Sequence, residues 1–217
     1  MNRVFAPGCA LMLYRPHLAD KAQQALNQEC GVAPRHLTCC RHAPGLPSGT
    51  QVVNVCPGCD RRYRNLYEGV TTISLWEVLA KSRRFPFPDY SGKRMAIQDA
   101  CPTRDQDRVL DAVRALLGKM NVEIVEPKAT RGRGICCGDT FYGTLPVGHV
   151  KQFMAKRAGE MPEEDVVVYC VSCLQSMHIG GKKPRYLVDL LFGEETLPGA
   201  GDSDQWHADL DRFIGAH

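Results

Sequence analysis

Apolar positions along this chain come in short runs of the strand period, each followed by a stretch of helical period. RVFAPGC (3–9) reads as a strand ending at a cysteine, and LADKAQQALNQEC (18–30) as an amphipathic helix. Strands are predicted over HLTC (36–39), QVVNV (51–55) and TTISL (71–75), the last passing into a closing helix, LWEVLA (75–80). The same order then returns. KRMAIQDAC (93–101) is the strand, DRVLDAVRALLGKM (107–120) the helix, and VEIVEP (122–127), DVVVY (165–169) and RYLV (185–188) the further strands, with DLLFG (189–193) closing.

Strands alternating with helices imply parallel sheets, whose ligands gather at the carboxyl ends of the strands. The expected fold is α/β: two repeat-related lobes with short parallel sheets flanked by helices, arranged about a pseudo-two-fold. FPFPDYSG (85–92) is rich in proline and turn residues and marks the boundary, which gives a first lobe over 1–88 and a second over 93–193. Residues 194–217 read as a tail with one short helix, QWHADLDRFIG (205–215), in which Trp206 and Phe213 are packing residues.

The cysteines repeat with the strands. Cys9 stands alone, Cys39 and Cys40 are adjacent, and Cys56 and Cys59 form CxxC; then come Cys101, the pair Cys136 and Cys137, and the CxxC of Cys170 and Cys173. The gap from single cysteine to pair is 29 residues in the first half and 34 in the second. From pair to CxxC it is 15 against 32, a difference of 17 that is enough to have lost a helix. Two CxxC pairs suit a tetrahedral zinc site, but five thiols per half exceed what one zinc accepts, and neighbouring residues more readily serve two metals of a cluster. A set of five with a vicinal pair points to an iron–sulfur cluster of unusual shape or to an exchangeable ligand. A dithiol exchange centre of the thioredoxin kind would leave most of these thiols idle. Cys30, outside both sets, reads as a small buried hydrophobe.

A chain of 217 residues with 44% hydrophobic content needs no disulfide staples, and its odd count of 11 cysteines disfavours a closed disulfide framework. The opening MNRVFAPGCALMLYRP imitates a signal peptide, but Pro7, Gly8 and Arg15 interrupt it, and no segment has the apolar length to span a bilayer. A soluble, cytoplasmic protein is expected. A net charge of +3 is too small to argue for nucleic acid. Arg131, Arg133, Lys182, Lys183 and Arg185 lie near cysteines of the second set and read either as compensating charge or as solubility.

AIQDACPTR, GICCGDTFYG and VVVYCVSCLQSM in the second half, with FAPGCALMLYRPHLADKA and VVNVCPGCDRRY in the first, resemble the duplicated cysteine-rich CCG domain of heterodisulfide reductase. The resemblance runs from about Val4 to Leu191. It implies that each complete set of five cysteines binds a noncubane [4Fe-4S] cluster, with Cys9, Cys39, Cys40, Cys56 and Cys59 holding one and Cys101, Cys136, Cys137, Cys170 and Cys173 the other. The first half departs from the pattern in giving CCR, with Arg41 where Gly138 stands in the second. A glycine there would allow positive φ and close approach of backbone to the inorganic core.

Two clusters facing a repeat-related cleft would supply the two electrons that reduction of a disulfide needs, one at a time, and the reverse flow would form one. The chain has no GxGxxG flavin fingerprint and no ferredoxin-type cysteine run, so a flavoprotein or ferredoxin-like donor subunit is implied, with a thiol or disulfide small molecule as substrate. The alternative is an electron-relay subunit without a small substrate. Tyr14, Arg15, His42, Asp99, Thr103 and His178 lie close to the cysteines in sequence and are candidates to line the cleft, His178 foremost.

Overall fold

A computed structural model describes residues 2–217 and divides them into two compact units. The first runs to Pro86 and takes in His207–His217; the second is Phe87–Trp206. Both are α/β with parallel sheets only. Among the described residues no helix is long and apolar enough to cross a membrane.

In the first unit, β1 (Arg3–Ala6), β2 (Thr50–Asn54) and β3 (Val70–Ser74) form a sheet in that order, with Phe5 opposite Val53 and Val53 opposite Ile73. Between the first two strands run α1 (Cys9–Tyr14) and α2 (Pro16–Cys30). Pro16 starts α2 with a preset φ, Leu18, Ala22, Ala25 and Leu26 form its buried stripe, and Gly31 at φ 77° ends it. α3 (Pro57–Leu66) follows β2, and α4 (Leu75–Ala80) follows β3 through a capping box in which Ser74 and Glu77 satisfy each other's backbone N–H.

The strand expected over HLTC does not form. The chain makes a single parallel bridge there, Phe5 with Arg35, flanked by hydrogen bonds from Phe5 N to Pro34 O and from His36 N to Phe5 O, each 2.8 Å. Pro34 has no N–H to extend the ladder.

The second unit contains β4 (Lys93–Gln98), α5 (Asp107–Lys119), β5 (Val122–Val125), α6 (Val147–Gly159), β6 (Asp165–Val168), α7 (Val171–Ile179), β7 (Lys183–Tyr186) and α8 (Leu187–Leu191). Its sheet order is β5-β4-β6-β7. Arg35 bridges the free side of β1, where β5 would stand beside β4, so the strand order of the two units is the same. In each, the chain reverses direction across the sheet between the first and third strands of the repeat, the crevice where open α/β sheets bind ligands.

Two differences matter for the site. α6, with 13 residues, fills the longer segment between vicinal pair and CxxC; among the described residues the first unit has no helix there. Conversely, α9 (Ser203–Ala216) is no detached tail: Leu210, Phe213 and Ile214 pack on the first unit's core beside Cys9, Cys39 and Cys40.

Candidate functional site

In both units the cysteines gather at the carboxyl ends of the strands. Cys9 opens α1 just beyond β1, and Cys56 caps the N-terminus of α3 just beyond β2. Cys101 opens a single 3-10 turn beyond β4, and Cys170 caps α7 beyond β6. Cys59 and Cys173 lie one turn inside those helices, as CxxC requires of two thiols on one helix face.

The thiols of each set form a chain of S–H···S hydrogen bonds in the same order. In the first unit Cys9 meets Cys39, Cys39 meets Cys40, Cys40 meets Cys59, and Cys59 meets Cys56. In the second, Cys101 meets Cys136, Cys136 meets Cys137, Cys137 meets Cys173, and Cys173 meets Cys170. All eleven cysteines are free thiols, and Cys30 is exposed at the end of α2 rather than buried as its apolar reading expected. Among the described residues no three His, Cys, Asp or Glu side chains converge on one ion position.

Negative charge settles differently in the two chains of thiols. Burial and the hydrogen bond to Cys39 raise Cys9 to about 12, while Cys40 is lowered to about 7, first by the hydrogen bond from Cys59 and then by Arg62 and Arg41. In the second set the first member of the vicinal pair is the acidic one. Cys136 is held far below the ordinary thiol range by hydrogen bonds from Cys101 and Cys137, with the N–H groups of Gly138 and Thr140 adding to them. Cys101, Cys137 and Cys173 are pushed up as the donors of the chain.

The vicinal pair of the first unit is tied down by side chains. Tyr67 Oη donates to Cys40 O at 2.9 Å and His42 O at 2.7 Å, and Arg62 Nε donates to Cys40 O at 3.2 Å. From α9, Ile214 O meets His42 Nε2 at 3.1 Å and Asp211 pairs with Arg41 at 3.0 Å. Phe213 closes the space beside Cys9, Cys39, Cys40 and Cys59 to a cavity of about 10 Å³. Gly8 makes this packing possible: at φ +83° it has no Cβ, which would lie 3.1 Å from Cys56 Cβ and 3.4 Å from Cys59 Sγ.

The second pair hangs from a buried polar network. Arg114 grips Asp99 with two nitrogens at 3.1 and 2.9 Å, and Asp99 also accepts from Arg131 N at 2.7 Å, Thr130 at 3.0 Å and Tyr169 at 3.2 Å. Burial pushes the Asp99 carboxyl up, but Arg114 and these donors outweigh it and hold it below the usual carboxylate range. Gln98 donates to Ile135 O at 2.9 Å, and Arg104 to Gly134 O at 2.6 Å, which fixes the approach to Cys136. Gly138 has φ +109°, and a Cβ there would sit 2.9 Å from Met154 N of α6. The close approach that this glycine permits is therefore to a helix of the protein. Arg41, with no α6 above it, needs no such freedom and is not among the positive-φ residues. Its N–H still reaches Cys39 Sγ at 3.5 Å, as the Gly138 N–H reaches Cys136 Sγ at 3.5 Å.

Of the flanking candidates, Asp99 and Thr103 are buried beneath the second set, where Thr103 shares a 2.8 Å hydrogen bond with Tyr169. His42 serves α9, and Arg15 lies over the Tyr14 ring at 5.6 Å. His178 packs against Gly201, on the part of α7 beyond the thiols. Three of the five basic residues near the second set face carboxylates: Arg131 pairs with Asp111, Arg185 with Asp165, and Lys182 with Glu164 at 3.5 Å. Sequence reasoning missed His36, Tyr67 and the position of Phe213. Gly8, directly before Cys9, offered a signal in its residue type.

The donor set suits an iron–sulfur group. Each unit presents five soft thiols linked in one chain of contacts, more than one tetrahedral ion uses, with a backbone N–H aimed at one sulfur. Beside the first set, His36 lines the same cavity, and its Nε2 is buried without a hydrogen-bond partner among the described residues.

No family model matches the chain, and neither does any curated protein. Among solved structures, an aspartate racemase of Picrophilus torridus is similar at 10% identity and a TM-score of 0.30, over 100% of this chain and 94% of that one. A likeness at that level carries no argument about chemistry.

Proposed function

We propose that this chain is an iron–sulfur oxidoreductase component, similar to the CCG-domain component of heterodisulfide reductase, whose two cysteine sets each hold a noncubane [4Fe-4S] cluster and which reduces or forms a disulfide of a small thiol. The observation that carries this reading is the identical order of thiol contacts in two units whose surroundings differ. When bound, such clusters supply electrons singly and an iron site open to a thiolate.

The chain's own residues do the rest. Cys9, Cys39, Cys40, Cys56 and Cys59 hold one group, and Cys101, Cys136, Cys137, Cys170 and Cys173 the other. The N–H groups of Arg41 and Gly138 offset negative charge on Cys39 and Cys136, Arg62 does so near Cys40, and Phe213 keeps water from the first set. Electrons come from a flavoprotein or ferredoxin-like subunit. Eleven free thiols fit a reducing, cytoplasmic setting.

The closed first cavity favours a second reading, an electron-relay subunit that touches no small substrate. Iron and acid-labile sulfide per chain, measured on anaerobically prepared protein together with paramagnetic resonance, test both. About eight irons support two clusters and about four confine them to one unit. Stoichiometric zinc without iron overturns the proposal. Spectra that respond to added thiols or disulfides favour the substrate reading, and spectra that respond only to a protein donor favour the relay.

A further inference from the structure

The second unit carries a surface that the thiol chemistry leaves unused. His149, Phe153 and Lys156 follow one another at helical spacing along the outward side of α6 and, with Leu145 just before the helix, line a cavity of about 430 Å³. Phe153 and Lys156 also line a cavity of about 300 Å³ that reaches Ile135 and Cys136. Leu145, Phe153 and Ile135 are 38%, 43% and 46% exposed, an apolar grouping of the kind that marks an interaction site. A helix of 13 residues spans about 20 Å, longer than a small thiol and of the scale of a protein contact.

The cavities along this face are lined by Arg104, Lys156 and Arg157, and the carboxylate among them, Glu160, is paired with Arg157. α6 contributes Lys151 and Lys156 and contains no carboxylate, and Arg104 lines the cavity beside Cys136. The nearest acidic groups are already engaged, Glu160 by Arg157 at 2.7 Å and Glu126 by Arg114 at 2.7 Å. Lys151 and Lys156 have no ion-pair partner among the described residues.

We propose that this face docks a small acidic electron-transfer protein, with its apolar contact centred on Phe153 and Ile135 over Cys136 and its carboxylates meeting Lys151, Lys156 and Arg104. The partner's purpose rests on the iron–sulfur reading given above, whereas the docking makes and breaks no bond. An apolar centre with a charged rim suits a transient contact, steered by charge and weakened by salt.

The test is isothermal titration of the iron-loaded full chain with a purified acidic [2Fe-2S] ferredoxin, with iron content and circular dichroism measured on every sample. The expected result is a dissociation constant on the order of micromolar at low salt, weakened at least about tenfold at 0.5 M salt. Lys156→Glu and Phe153→Ala are each expected to weaken binding about tenfold while iron content and dichroism stay at wild-type values. Absent binding, or binding indifferent to salt and to both variants, overturns the proposal. So does displacement of the ferredoxin by oxidised glutathione, which would make the face a small-molecule site, or a self-associated chain that both variants dissociate, which would make it a contact between copies. The iron assay reports separately on the iron–sulfur reading, since ferredoxin binding and iron content can fail independently.

Discussion

The two cysteine sets keep one order of sulfur contacts and are supported in opposite ways. The first is held from outside, by side chains of α3 and by an apolar helix from far along the chain. The second is held from beneath by a buried carboxylate and its arginine, and covered by its own α6. The acidic thiol differs too: it is Cys40, lowered first by Cys59 and then by Arg62 and Arg41, in one set, and Cys136, lowered first by Cys101 and Cys137 and then by two backbone N–H groups, in the other. The sulfur arrangement is thus the constant part of the repeat and the scaffold is the variable part. The change from glycine to arginine after the vicinal pair follows from how closely a helix backbone approaches: α6 leaves no room for a Cβ at Gly138, whereas α9 meets Arg41 through the side chain of Asp211.

The comparison breaks most completely if α9 is removed. Deleting residues 207–217 is expected to strip the cover from the first set and cost about half of the bound iron, the second set being retained, as measured by iron per chain. The converse lesion is Asp99→Ala, which leaves the largely buried Arg114 with Glu126 alone and the donors Arg131 N, Thr130 and Tyr169 short of an acceptor, and is expected to cost about 3 kcal/mol in urea unfolding. The same carboxylate sets a pH dependence. Its folded value lies below the unfolded 3.8, so its contribution is complete well above pH 3.8 and is lost as pH falls through the folded value. Acid titration of stability should therefore show a step in wild type that is reduced in Asp99→Asn.

Gly138→Ala sharpens the point about the overhead helix. A Cβ 2.9 Å from Met154 N, at a positive φ, should cost about 2–3 kcal/mol, whereas Arg41→Gly in the first unit should cost under about 1 kcal/mol. Between these two falls Tyr67→Phe, expected to cost about 1–2 kcal/mol by leaving the Cys40 and His42 carbonyls short of a donor, and measured by the same unfolding curves.

Much of this architecture is legible in short stretches of sequence. Val52, Val53, Val166 and Val167 announce buried strands, and the duplicated spacing of cysteines announces two matching thiol groups, because both signals are local. The helices that begin at the cysteines are harder to see. In α3 the stretch DRRYRN hides a single buried face formed by Cys59 and Tyr63, and Pro57 at its first position is the remaining clue. HLTC has strand-like residues, but the proline two positions earlier denies it a ladder. Phe213 reads as a packing residue, and it is one; what it packs against is set by a contact across some 170 residues, which periodicity does not encode. Asp99 stands out as a charged residue beside Cys101, yet only the three-dimensional arrangement shows that Arg114 has claimed it for support.

The place of α9 has a consequence for how the protein is made. A ribosome releases chain at about 5–20 residues per second, so the 120 positions between Pro86 and His207 delay completion of the first unit by roughly ten seconds after its strands have emerged. The half translated first is therefore the last to be sealed, which leaves its five thiols uncovered during that interval.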